Sequence, residues 1–289
     1  MVNLESPTCP LLLKDFIPAP DVQEFVQLYR IIHFRFEKGQ SLPFKAYPPR
    51  PEHCLAFYPF DREKIVYQQS GKTVSDIPAV LYGQFSEVTN RHVGRDFLVV
   101  QVVFYPGALY RLTGIPAAIL ANQYMDAELV FGKQLREINE QLALTDSYMG
   151  MLDIVNRFIR DLIRKQCRHS LPLDAAFAGL LKADQRYSIS QLAADVYMSK
   201  RNLERVFIER AGVTPKMYER IIRFDKAFRL RNSKPEYSWL RIAIECGFHD
   251  HQHLAKVYKD FTGMSPGAFH QVEEQAPERE FGLVEGYYD

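Results

Sequence analysis

Residues 246–253 read CGFHDHQH, one cysteine and three histidines within eight positions. Thiolate and imidazole are ligands that zinc prefers, and a structural site needs four of them converging at about 2.0–2.3 Å. The flanking segments decide whether they converge. WLRIAIEC and HQHLAKVYKDFTG both carry helical periodicity, so Cys246 ends one helix on its buried side. His249 then falls in the turn before Asp250, a good helix cap. His251 and His253 are two apart on the next helix and diverge by about 200°. They do not share a metal easily, and no metal is expected here. The same polar residues on the first turn of a helix have the donors and acceptors that read base edges.

The elements around this stretch must make it a reading head. The chain has 289 residues, 47% hydrophobic and 25% charged, as in a soluble globular protein of two ordinary domains. No run approaches a membrane span, and the start MVNLESPTCPLLLKDF lacks the pattern of a secretory signal. Cys9, Cys54, Cys167 and Cys246 form no CxxC pair, which fits reduced thiols in a cytoplasmic protein. The net charge of +1 conceals an asymmetry: residues 182–270 hold 16 Lys+Arg against 10 Asp+Glu, and residues 271–289 hold one Arg against six acids. A basic module of this kind suits a polyanion partner.

The fold expected is α+β, a β-rich sandwich or barrel-like domain followed by an all-α module. IIHFRF (31–36), CLAFYPF (54–60), AVLYGQF (79–85) and FLVVQVVFY (97–105) are strand-like runs punctuated by Pro and Gly. A helical turn near 106–114 and a short helical region near 128–143 follow. Residues 148–167 form an amphipathic helix with Leu152, Val155, Phe158, Ile159, Leu162 and Ile163 in one stripe. Two readings of that stripe stand, packing on its own β domain or a homodimer seam. The domains are drawn at 1–147, 148–173 for the helix and linker, 174–271, and 272–289 as an acidic, disordered tail.

From residue 174 the chain is a series of short, well-punctuated helices. Ser190 precedes QLAADVY, Ser199 caps KRNLERVFIERA, and Gly212 suits its left-handed end. Thr214-Pro215 opens a longer helix, and the pattern then repeats with Ser238, Gly247 and Asp250 as its punctuation. Each unit is a helix-turn-helix whose second helix has a polar, basic outer face.

This arrangement resembles the AraC/XylS family of bacterial transcription regulators. The first recognition helix opens with S-x-x-x-L-x-R-x-F at Ser199 to Phe207, and I-A-x-x-x-G-F-x-D runs from Ile242 to Asp250. G-x-S-P follows at Gly263 to Pro266. Tyr258 stands where Phe is usual, and His270 replaces an Arg, which puts one phosphate contact in doubt. The resemblance implies a cytoplasmic regulator that binds double-stranded DNA and contacts RNA polymerase, activation before repression, with a β domain that senses a small-molecule effector or assembles the protein. An effector-free regulator governed by abundance or a partner protein is the alternative, as is an enzymatic β domain.

The residues placed at DNA are Lys200, Arg201, Glu204, Arg205, His251, Gln252, His253, Lys256 and Lys259. Arg205 suits guanine and Gln252 adenine. Arg201 touches a base or a phosphate. Glu204 accepts from cytosine or steadies Arg201 or Arg205, and Lys200, Lys216 and Lys259 are solvated charges or phosphate contacts. His33, His53 and His92 are too scattered for a metal. Tyr58, Phe60, Tyr67, Tyr82 and Phe104 are either core or the wall of an effector pocket. No catalytic arrangement and no cofactor motif is evident.

Overall fold

The apolar runs at 79–82 and 97–104 lack the polar alternation of a half-solvated strand, so both faces of their sheet must be covered. The computed structural model, which describes residues 11–165, 168–182 and 189–283, shows the two covers. One sheet has six antiparallel strands in the order β1 (Leu11–Phe16), β2 (Val26–Arg35), β9 (Asp96–Phe104), β4 (His53–Phe57), β7 (Ala79–Tyr82) and β10 (Tyr124–Asp126). The other has β3 (Phe44–Tyr47), β8 (Thr89–His92), β5 (Lys64–Tyr67) and β6 (Thr73–Val74). Leu55, Phe57, Leu98, Val100 and Phe104 point to a helical layer. Their neighbours Cys54, Ala56, Val99 and Val103 point between the sheets. The two-residue period of each strand divides one sheet between two cores.

The helical layer comprises α1 (Ala108–Thr113), α2 (Ala117–Leu120), α3 (Glu128–Phe131), α4 (Gln134–Ala143) and α5 (Tyr148–Arg164). Ser147 caps α5, accepting from the Gly150 amide. The α5 stripe is buried in its own domain: Met151, Leu152, Val155, Phe158 and Ile159 join the core under the large sheet. Tyr148 bonds His33 Nδ1 at 3.0 Å, and the Tyr29 hydroxyl donates to Asn156 at 2.7 Å. Those side chains are therefore not free to form a dimer seam.

The C-terminal module runs through α6 (Pro172–Lys182), α7 (Ile189–Asp195), α8 (Lys200–Ala211), α9 (Pro215–Ser233), α10 (Trp239–Glu245), α11 (His251–Thr262) and α12 (Pro266–Glu273). Helix α6 begins two residues ahead of the expected boundary, and its Leu173 and Phe177 are core residues of the first helix-turn-helix. Helix α7 starts at Ile189, ahead of the expected cap at Ser190. Helix α9 supplies Tyr218 to the first core. It supplies Ile221, Phe224, Ala227 and Phe228 to the second, which also takes in Ala46 and Val88 from the β domain.

The tail differs from expectation. Over residues 272–283 it is not disordered: α12 continues to Glu273 and a 3-10 turn covers Pro277–Phe281. Its acids face a buried cation, Lys45, which Glu273 and Glu278 both engage, and Phe281 stacks on Phe34 at 5.3 Å. Low average hydrophobicity concealed these few specific contacts. Residues 284–289, Cys9 and Cys167 lie outside the described residues.

The domains meet through the C-terminal end of α8. The Gly107 amide donates to the Arg210 carbonyl at 3.1 Å, and His53 Nε2 lies 3.2 Å from the Ala211 carbonyl. At Gly212, where φ is 81°, an added Cβ would lie 2.9 Å from the Ala117 carbonyl oxygen. Burial pushes the His53 imidazole down to about 4, although its bond to Ala211 opposes the shift. The folded state thus holds His53 neutral. Its contribution is complete above the ordinary value near 6.5 and is lost as pH falls towards 4. We expect urea-unfolding stability to fall by about 2–3 kcal/mol on this account between pH 7 and 4.5. His53→Gln, which keeps a donor for Ala211, should flatten that loss; a variant with the wild-type slope contradicts the assignment.

Candidate nucleic-acid interface

A helix-turn-helix needs a turn that reverses the chain within a few residues while satisfying the first helix's last carbonyls. Both units do this with the same bonds. Met198 donates to the Ala193 carbonyl and Phe248 to that of Ala243, each at 2.8 Å; Tyr197 donates to Ala194 and Gly247 to Ile244, each at 3.1 Å. The reversal requires a left-handed residue, Tyr197 (φ 55°) in the first unit and Gly247 (φ 72°) in the second. The second turn then has one extra residue, His249, before its cap.

Caps fix where each recognition helix begins. The Ser199 side chain accepts from the Asn202 amide at 3.3 Å, and Asp250 accepts from the His253 amide at 2.7 Å. That amide and the adjacent His249 ring hold the Asp250 carboxyl below its ordinary value. An anionic cap also complements the positive end of α11. Leu203, Val206 and Phe207 bury one side of α8, as Leu254, Val257, Tyr258 and Phe261 do on α11.

What remains outside is polar. Lys200, Arg201, Glu204 and Arg205 are exposed on α8, and His251, Gln252, Lys256 and Lys259 on α11. Arg205 Nη2 donates to Asn202 Oδ1 at 3.1 Å. The residue steadying Arg205 is thus Asn202, a residue that sequence reasoning missed, although its i,i+3 spacing shows the pairing. Glu204 makes no ion pair among the described residues. His253 is half-buried, its ring edge-on to Phe248 with centroids 5.5 Å apart.

Cys246 lies on the buried side of its turn, where burial raises its thiol to about 12. Among the described residues no group of three or more His, Cys, Asp or Glu is placed to hold a metal ion. The two departures from the family pattern meet each other: the Tyr258 hydroxyl lies 3.2 Å from His270 Nε2, and both are buried. His270 is therefore a core residue and not a weakened phosphate contact. Burial, with Arg231 and Arg279 nearby, lowers it to about 3.

In the β domain the five aromatics do not form one pocket. Phe104 faces the helical layer, Tyr58, Tyr67 and Tyr82 face the space between the sheets, and Phe60 is partly exposed beside His33. The space between the sheets has a polar wall that sequence reasoning missed. Arg30, Lys45, Tyr47, Glu63, Arg91 and Gln101 line it. A signal was available: Arg30 and Gln101 each interrupt an apolar run, and they are cross-strand partners. No helix among the described residues is long and apolar enough to cross a membrane.

The paired turns make opposite stability predictions. A side chain at a left-handed position costs about 1–2 kcal/mol, against which glycine's own entropic cost is about 0.5–1. Tyr197→Gly should therefore stabilise the chain by up to about 1 kcal/mol, and Gly247→Ala should destabilise it by about as much. Thermal unfolding of the full chain measures both; destabilisation by Tyr197→Gly would show that the exposed tyrosine makes contacts that outweigh its strain.

Comparison with known proteins follows the same division. Residues 192–271 match the family described as "Helix-turn-helix domain", and residues 14–126 match a domain of unknown function, DUF6597. An uncharacterized HTH-type transcriptional regulator of Haemophilus influenzae is 32% identical over 99 residues, 34% of this chain and 33% of that protein. The HTH-type transcriptional regulator MtrA of Neisseria gonorrhoeae is 30% identical over 88 residues, covering 30% and 29%. The match thus spans about a third of the length of these relatives. ToxT of Vibrio cholerae aligns over 84% of this chain and 97% of its own, at 13% identity and a TM-score of 0.44. The DNA-binding domain of AdpA, solved with a target DNA, aligns over 36% and 95%, at 29% identity and a TM-score of 0.34. The repeated turns and caps and the matched residues together identify the C-terminal third of the chain as an AraC-type helix-turn-helix domain.

Proposed function

We propose that the protein is a sequence-specific DNA-binding transcription regulator that reads one asymmetric site with α8 and α11 in successive major grooves. The observation that carries this reading is the pair of equivalently capped helices, both polar outside and both packed on α9. Arg205, steadied by Asn202, suits bidentate bonding to guanine O6 and N7, and Gln252 suits adenine N6 and N7. Arg201, one turn before Arg205, and His251, next to Gln252, lie beside them at exposed positions. His253 supports the second head through Phe248, and Glu204 is free to accept from cytosine N4. Lys200, Lys256 and Lys259 contact phosphate and set register.

The protein acts in the cytoplasm, and activation through RNA polymerase at a nearby promoter is the mode that the AraC/XylS resemblance supports. The β domain is read as its sensor. What supports a sensing role is the seam at Arg210, Ala211 and Gly212, because a shift of α1, α2 or β4 acts on the end of the first recognition helix.

Binding-site selection with single variants, followed by salt titration, tests this. Arg205→Ala should cost about 1–3 kcal/mol and relax preference in one stretch of the site, and Gln252→Ala should relax only the other stretch. Lys259→Ala should weaken binding to all sequences alike and reduce the salt slope by about one. If the first two variants blur the same base pairs, or neither blurs any, the two-headed reading is wrong.

A further inference from the structure

The two helix-turn-helix units differ at one point of their matching turns. Met198 and Phe248 hold equivalent places, each donating to a carbonyl of the first helix at 2.8 Å and each packing inward on its own core. The residue before each is left-handed. In the second turn it is Gly247, which has no side chain to strain. In the first it is Tyr197, at φ 55°. A bulky residue in this conformation is an outlier, because its Cβ crowds the following carbonyl.

The fold itself does not account for a tyrosine there. Its side chain is 93% exposed, the most exposed of the large hydrophobic side chains among the described residues. The bond at this position belongs to its backbone amide, which donates to the Ala194 carbonyl; the ring and hydroxyl have no partner among the described residues. Val196 and Met198, on either side, take the inward places in the first core. The ring is thus held outward at a position that glycine fills without strain in the other unit. Strained residues that persist in this way cluster where a ligand is met.

The position of the ring indicates which ligand. Tyr197 is two residues ahead of Ser199, the cap of α8, so its Cα lies within about 7 Å of the start of that helix. Lys200 and Arg201 are exposed on the first turn. When a recognition helix lies in a major groove with its N-terminal residues at the bases, a residue just before its cap lies at the edge of the groove, beside the sugar-phosphate backbone. A phenol there donates its hydroxyl proton to a phosphate oxygen, and hydrogen bonds to an ionised acceptor are the stronger kind.

We propose that Tyr197 is a DNA-contacting residue whose hydroxyl donates to a backbone phosphate flanking the stretch that α8 reads. The contact fixes the register of the first reading head without specifying a base. Because the phenol is neutral, it displaces no counterion and adds nothing to the salt slope, unlike a lysine contact. The proposal rests on the reading of α8 as a recognition helix. The strain in the first turn is then a loss of stability retained for binding.

The test compares full-length wild type, Tyr197→Phe and Tyr197→Gly on a site selected by the wild type. Tyr197→Phe keeps the ring and the backbone and removes only the donor. Its affinity should fall about ten-fold, as for loss of a hydrogen bond to a charged group, on selected and altered sites alike and with the salt slope of the wild type. Tyr197→Gly should bind at least as weakly while melting no lower than the wild type. Ethylation interference should reveal a phosphate, at the edge of the stretch blurred by Arg205→Ala, whose ethylation hinders the wild type and does not hinder Tyr197→Phe. The inference is overturned if Tyr197→Phe binds as tightly as the wild type or shows the same interference pattern. It is equally overturned if Tyr197→Gly melts lower, which would return the ring to the fold. A wild type that selects no site removes the reading of α8 and the proposal with it, whereas a selective wild type matched by Tyr197→Phe sinks the Tyr197 contact alone.

Discussion

The two helices proposed to read DNA are positioned by the burial of one helix, α9, in two cores. Tyr218 of α9 packs among Phe177 and Phe207 of the first helix-turn-helix, with ring centroids 6.1 and 5.6 Å apart. Further along the helix, Phe224 packs on Tyr258 and Phe261 of the second, at 4.7 and 5.3 Å. Because the helix rises about 1.5 Å per residue and is stiff, these two attachments fix the separation and relative rotation of α8 and α11. Removing such a ring costs about 3–5 kcal/mol, a large share of the stability of a typical domain. The spacing of the reading heads is in this sense a packing property, set before any base is touched.

The same helix faces the β domain, and there the interior is ionic. Glu52 is buried with Arg30, and its hydroxyl partner is Tyr47 at 3.0 Å. Burial alone would raise the Glu52 carboxyl, but Arg30, Arg50 and Arg229 outweigh it and hold it at about 2. Asp225 pairs with Arg229 at 2.6 Å, yet burial keeps its carboxyl above the ordinary value. Buried pairs of this kind add little net stability over an apolar core, because the desolvation of two ions offsets their attraction. Their consequence is sensitivity: a change of charge at one member leaves another buried and unpaired at the seam between the β domain and the helical module.

The all-α third was legible at most of its caps and turns, but the expected cap at Ser190 falls inside α7 and α6 begins within the expected linker. Ser199, Ser238, Asp250, Gly212 and Gly247 are local signals, since a cap or a left-handed turn depends on its own few residues. Four strand runs, on β2, β4, β7 and β9, were legible as well, whereas β1, β3, β5, β6, β8 and β10 were not. Long-range relations were not. Nothing local to 277–283 shows that its acids complement a lysine more than 200 residues away, and composition alone argued for disorder. Helix α5 was ambiguous for the same reason, because an apolar stripe does not name the surface that covers it. Arg91 and Gln101 fall between these cases: each is a polar residue in a strand, a visible anomaly whose meaning depends on which sheet lies opposite.

The central claim, that α9 holds two reading heads at a fixed spacing, is tested most directly by hydroxyl-radical footprinting of the full chain on a selected target. The account predicts two protected patches on one face of the duplex, about 10–10.5 base pairs or one helical turn apart. The gap between them should stay constant across targets. A single patch, or two whose spacing varies from site to site, would contradict it.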